Sequence, residues 1–230
     1  ALPISPMEVV TELRQPYLVK LNDVYSGWTD HLLELQQLFT SKLWHQLHDK
    51  VEQVLALPEI ANDGEAQLRF YENFVQEFEM KLNLLRLVIF IVKIAQKLGP
   101  ERGITLLEGL AAKVDKKDNE AFIVCKIELA ALKLRLDNNE EQMREIKTQL
   151  EEYRRVLDED LSFVSNVVNS AFYRAQAEYF RITHMPAEFY KTALLFLAYT
   201  PQEEIPLIEQ QRIAFDLGIA ALLGKTVYNH

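Results

Sequence analysis

Two histidines three residues apart, His45 and His48, with Asp49 beside the second, are the first candidates for chemistry in this sequence. On a helix that spacing brings both imidazoles toward one face, as in half of a metal site. Zinc needs further ligands, and no HExxH motif or cysteine cluster supplies them. The pair therefore reads as partly exposed helix residues. Cys125 is the single cysteine, and His31 or His184 could act as its base in a Cys/His pair. Its neighbours Ile123, Val124 and Ile127 are apolar. Burial among such groups raises a thiol pKa and makes the sulfur inert, so Cys125 is expected in the core.

Carboxylates are abundant but run in adjacent pairs: Glu140-Glu141, Glu151-Glu152 and Glu203-Glu204. Acid–base catalysis needs one carboxyl desolvated and two held apart at a defined distance, whereas these runs read as solvated. Gly99 to Gly103 lacks the spacing and the Lys-Ser/Thr of a phosphate loop. Phe70, Tyr71, Phe74 and Phe78 could form a base-stacking surface, but Glu72, Gln76, Glu77 and Glu79 interleave where basic residues would be needed. The stripe reads as core, and Lys116-Lys117 and Arg154-Arg155 are too small for a nucleic-acid patch. No catalytic, cofactor-binding or metal-binding set assembles, and no cofactor is expected.

The elements that must position these residues are helices. The chain has 230 residues, 49% of them hydrophobic, with only 7 Gly and 8 Pro. Scarce helix breakers favour long helices, and strict apolar/polar alternation is absent. The net charge of −9 disfavours a phosphate backbone as partner. One cysteine allows no internal disulfide. The opening Ala1-Leu2-Pro3-Ile4-Ser5-Pro6 lacks the basic and apolar regions of a signal peptide. The apolar run from Leu84 to Ala95 is too short for a membrane span and carries Arg86 and Lys93.

About eleven helices are expected. The first runs from Pro6 to about Leu21, capped by Ser5 and kinked or split at Pro16. Trp28 to Thr40, Lys42 to Leu57, Glu65 to Met80, Leu84 to Leu98 and Pro100 to about Val114 follow, punctuated by Pro58, Asn62-Asp63-Gly64 and Gly99-Pro100. Asn119 to Leu136 is apolar over a wide arc. After a turn at Asp137-Asn138-Asn139, Glu140 to Leu157 has only the stripe Met143, Ile146, Leu150, Tyr153 and Leu157. That contrast is the mark of an inner and an outer helix in a layered stack. The next helix ends near Arg181, and Pro186 to Tyr199 and Leu207 to Leu223 complete the chain. Pairs begin near Asn119, Ser162 and Pro206, a spacing of roughly forty residues that suits helical repeats. The expected fold is all-α: a right-handed α-solenoid of antiparallel helix pairs, tetratricopeptide-like. One solenoid domain over 28–230 is expected, preceded by a leading helical segment over 1–27.

Several segments carry a resemblance. Ser41-Lys42-Leu43-Trp44-His45-Gln46-Leu47, Phe70 to Glu79, Ala130-Ala131-Leu132-Lys133-Leu134, Phe172-Tyr173, Tyr179-Phe180 and Phe189 to Leu197 resemble, in order and spacing, the 26S proteasome non-ATPase regulatory subunit 13 family. The strongest piece is Glu209 to Gly224, continuing to Val227-Tyr228-Asn229. Residues 1–27 match poorly. The resemblance implies a non-catalytic scaffold of the regulatory-particle lid, working in ubiquitin-dependent degradation in cytoplasm and nucleus. Its implied partners are other lid subunits and the neighbouring ubiquitin-receptor region, with no nucleic acid and no membrane. Family members carry a winged-helix PCI module after the helical part, so this sequence reads as the N-terminal helical portion. The runner-up readings are a paralogous PCI subunit of the signalosome or translation-initiation complex, and a free-standing helical-repeat adaptor.

The last helix has one further property. Ile213, Ala214, Phe215, Leu217, Ile219, Ala220, Ala221, Leu222 and Leu223 make too wide an apolar arc for the preceding helix alone to cover. The face around Phe215, Leu222 and Val227 is therefore the candidate partner-binding surface, with weak self-association expected through it.

Overall fold

The computed structural model describes residues 12–114, 118–136, 139–159 and 165–223. Within them the chain is all-α, with eleven α-helices and four short 3-10 turns and no β-strand among the described residues. The chain divides at Leu98/Gly99 into two compact units. Unit 1 holds α1 (Pro16–Val24), α2 (Thr29–Thr40), α3 (Trp44–Leu55), α4 (Gly64–Asn73) and α5 (Leu84–Leu98). Unit 2 holds α6 (Pro100–Val114), α7 (Asn119–Leu136), α8 (Glu140–Glu159), α9 (Asn166–Ile182), α10 (Pro186–Tyr199) and α11 (Leu207–Leu223). The expected Ser5 cap, the turn residues Asp137 and Asn138, and the pair start at Ser162 lie outside the described residues.

Pro16 opens α1 instead of kinking a longer helix. A residue before proline is pushed out of the helical region, and Gln15 accordingly sits at φ −71°, ψ 120°. The Gln15 side chain then caps α1 by accepting from the amides of Tyr17 and Leu18 at 2.8 and 3.0 Å. Gln36 of α2, itself buried, fixes the approach. Its Oε1 accepts from the Arg14 and Gln15 amides, and its Nε2 donates to the Glu12 carbonyl.

The helix expected from Glu65 to Met80 stops at Phe74, which leaves helical geometry at φ −132°, ψ −57°. Two 3-10 turns, Val75–Glu77 and Glu79–Lys81, carry the chain onward. The cause is tertiary. Phe74 and Phe78 pack on Phe39 of α2 with ring centroids 5.9 and 5.4 Å away, and Trp44 stacks on Phe78 at 6.0 Å. The break also brings the buried Glu79 carboxylate to the Tyr71 hydroxyl, which donates to it. In a continuous helix those residues would stand about 12 Å apart along the axis. Burial, together with that carboxylate, pushes the Tyr71 pKa well up.

At the start of α4, Asp63 caps the Ala66 amide at 2.9 Å. Gly64 lies against α5 so closely that a Cβ there would meet the Lys97 Cβ at 2.8 Å. Lys97 Nζ donates to the Ala61 carbonyl and to Gln67 Oε1, at 2.6 and 2.8 Å, tying the end of α5 to this turn. The apolar run of α5 is buried on most sides, through Leu87, Val88, Phe90, Ile91, Val92, Ile94 and Ala95.

Unit 2 is layered as the apolar arcs predict. In α7, ten residues from Ala121 to Leu134 are buried. This helix packs on α6 and α9. In α8 only the stripe of Ile146, Leu150 and Leu157 is buried, and the helix covers α7 and α9 from outside. Asp118 and Asn139 cap α7 and α8 through the Ala121 and Gln142 amides, each at 2.9 Å. α9 packs on α10, and α10 on α11.

Candidate partner-binding surface

The residues with chemical potential are absorbed by structure. His45 is exposed and lies 3.3 Å from Asp49. His48 is not a partly exposed residue as its spacing suggested, but is buried beside it on α3. Next to it Arg86 of α5 crosses to α3 and binds Asp49 at 2.7 Å and Glu52 at 2.6 Å. His48 Nε2 lies 3.5 Å from Glu52, and its Nδ1 has no hydrogen-bond partner. Burial, helped by the Arg86 charge, lowers the His48 pKa against the opposing pull of Glu52 and Asp49. The cluster is a structural ion network. No three His, Cys, Asp or Glu gather in metal-binding geometry among the described residues.

Cys125 is fully buried on α7, and its Sγ–H points to the Leu107 carbonyl at 3.4 Å rather than to a histidine. Burial pushes its thiol up to about 12, the reverse of what a nucleophile needs. The paired glutamates at 140–141, 151–152 and 203–204 are exposed. Phe70, Tyr71, Phe74 and Phe78 are core. Lys116 and Lys117 lie outside the described residues.

What unit 2 presents is surface. One side of α11 buries Ile213 and Ala220. Ala220 packs with Ala177 of α9 and with Phe189 and Ala193 of α10, and Ile213 packs with Phe196 and Ile205. Arg212 of α11 reaches Glu178 of α9 at 3.8 Å, and Arg181 binds the same carboxylate at 2.6 Å. At 100° per residue, Ile208, Phe215, Ile219 and Leu222 form a second stripe roughly 150° around the helix from the buried one. That stripe is open: Phe215 is 68% exposed, Leu222 79% and Ile208 82%. Val227 lies outside the described residues. Sequence reading named Phe215 and Leu222, counted Ile219 only within the wide apolar arc and missed Ile208, although their spacing of seven, four and three residues places all four on one face.

The fold and its surfaces define a class: an all-helical repeat protein whose notable exposed feature is an apolar helix face. A family model described as PSD13 N-terminal repeats matches residues 31–230, and the chain belongs to that family. It is similar to 26S proteasome non-ATPase regulatory subunit 13 of Dictyostelium discoideum, 32% identical over 212 residues, which are 92% of this chain and 54% of that protein. It is also similar to homolog B of that subunit from Arabidopsis thaliana, 33% identical over 85% of this chain and 50% of the relative. The 26S proteasome regulatory subunit RPN9 of Saccharomyces cerevisiae is 28% identical over 85% of this chain and 51% of its own length. The chain thus spans about half the length of the curated relatives it matches.

Proposed function

We propose that this chain is the helical-repeat part of a non-catalytic scaffold subunit of the 26S proteasome regulatory-particle lid, acting in ubiquitin-dependent protein degradation. The observation that carries the reading is family membership over residues 31–230. Relatives named as proteasome regulatory subunits support it. The work of such a subunit is to hold neighbours, and stacked helices suit that role because they offer long, rigid faces. The partners are other lid subunits and the adjoining ubiquitin-receptor region, in cytoplasm and nucleus. A net charge of −9 speaks against nucleic acid as a partner. No helix among the described residues is long and apolar enough to cross a membrane.

Within this reading the α11 face, with Phe215 and Leu222, is a contact surface for a neighbouring protein. Left uncovered, it drives weak self-association of the isolated chain. Antibodies raised against the chain test the scaffold reading by recovering the native protein from cell extract. Mass spectrometry should then find the lid subunits at equal stoichiometry. Recovery of signalosome or translation-initiation subunits instead, or of a protein without lid partners, refutes it.

A further inference from the structure

Unit 1 contains a cavity of about 220 Å³ built mainly from α1, the turn after it and α4. Its walls are aromatic. Tyr25 stacks on Trp28 with centroids 4.3 Å apart, and Tyr17 meets Phe70 edge-on at 6.2 Å. Burial pushes the Tyr17 hydroxyl up to about 12, as expected of a low-polarity wall. Trp28 is 3% exposed, and its indole Nε1–H has no acceptor. Lys20 and Arg69, both exposed, also line the cavity, and no acidic residue is among its described lining. In a chain carrying a net charge of −9, this opening is locally basic.

We propose that this cavity is a docking site for an acidic segment of a partner protein, which inserts one tyrosine side chain. Size selects the anchor. A cavity of about 150 Å³ already holds a benzene ring, while cofactor and drug pockets begin at about 300 Å³. The observed volume lies between them and suits one aromatic ring with a single polar substituent. A tyrosine ring there lies among the rings of Tyr17, Tyr25, Trp28 and Phe70, close enough for its ring current to shift the Trp28 indole signal. Carboxylates flanking the tyrosine face Lys20 and Arg69. Aromatic anchors in desolvated pockets ringed by charge are the usual centres of peptide recognition. The inference stands on unit 1 alone and does not depend on the proteasome reading.

The test uses the whole chain with ¹⁵N-labelled tryptophan. Trp28 and Trp44 are its two tryptophans, and Trp44→Phe assigns their indole N–H signals. The probe is acetyl-Glu-Tyr-Glu-amide, compared with acetyl-Lys-Tyr-Lys-amide and acetyl-Glu-Ala-Glu-amide. The acidic tyrosine peptide should move the Trp28 signal saturably while Trp44 stays in place, and the two comparison peptides should not. Lys20→Glu with Arg69→Glu changes only exposed side chains and should weaken the peptide at least about tenfold. Four results overturn the proposal: no movement of the Trp28 signal up to about 10 mM peptide, equal binding of either comparison peptide, unchanged affinity in the double variant, or a Trp28 shift that follows protein concentration without peptide. The last would make a second copy of the chain the occupant.

Discussion

Replacing Arg174 with Met should cost unit 2 about 3–5 kcal/mol, the range for stripping one partner from a buried ion pair. Arg174 of α9 binds Glu128 of α7, whose side chain is 7% exposed. Burial works against the Arg174 charge, but the Glu128 carboxylate beside it more than compensates and raises its pKa. Methionine keeps most of the aliphatic stem, so the loss is chiefly that of the charge. Glu128 is then left as an uncompensated buried anion. The converse change, Glu128→Leu, should cost less. The Arg174 side chain is 20% exposed and also feels Glu209 and Glu178. The double variant should recover most of the loss, since apolar replacements of a buried pair are often neutral. Urea unfolding followed by far-UV circular dichroism at pH 7 measures this. Fluorescence of Trp28 and Trp44 follows unit 1 separately. A loss below about 1 kcal/mol for Arg174→Met, or a double variant no better than that single one, would show that the charge pair does not hold α7 to α9.

Three further outcomes follow from the same structure. Gly64→Ala should destabilise by about 1–3 kcal/mol, because its Cβ collides with Lys97; Gly109→Ala, with open space around it, should stabilise by up to about 1 kcal/mol. Matched thermal melts decide this, and equal effects at the two glycines would contradict the close approach. His48, held below its ordinary pKa by burial and by Arg86, binds fewer protons folded than unfolded. Stability should therefore fall as pH drops below about 6.5, and His48→Gln should flatten that slope between pH 7.5 and 5.5; an unchanged slope would remove His48 as its source. Cys125, buried and with its thiol pushed up to about 12, should resist a thiol reagent in native buffer and react at once in urea; rapid native labelling would mean that α7 opens readily.

Most helix limits were legible because their signals are local. Gly99-Pro100 separates α5 from α6, and Pro186 opens α10, each by what the residue does to its own backbone. The contrast between α7 and α8 was legible from the width of their apolar arcs. The break at Phe74 was not, because its cause lies at Phe39 and Trp44, far back in the chain. Gln36 and the ion network beside His48 were hidden for the same reason: their partners, the Arg14 and Gln15 amides and Arg86 of α5, are distant in sequence. For the candidate surface, the excess width of α11 could be read from residues 213–223. Which side stays open required knowing that Ala177, Phe189 and Ala193 cover Ala220.

In unit 2 the principal contacts join only helices one or two places apart: α6 with α7, α7 with α8 and α9, α8 with α9, α9 with α10, and α10 with α11. Such a chain never has to close a long loop before packing rewards it, which favours rapid folding. During synthesis each helix can dock on one already released from the ribosome, so α7 need not wait for α11. Repeat lengths can also change over time at little cost, since adding or losing a helix pair disturbs only its immediate neighbours. Unit 1 works differently, because its aromatic cluster joins Phe39 to Phe78 across an intervening α3 and α4. A ribosome-bound chain arrested before Phe74 should therefore leave Phe39 and Trp44 without Phe74 and Phe78, open to capture by a chaperone.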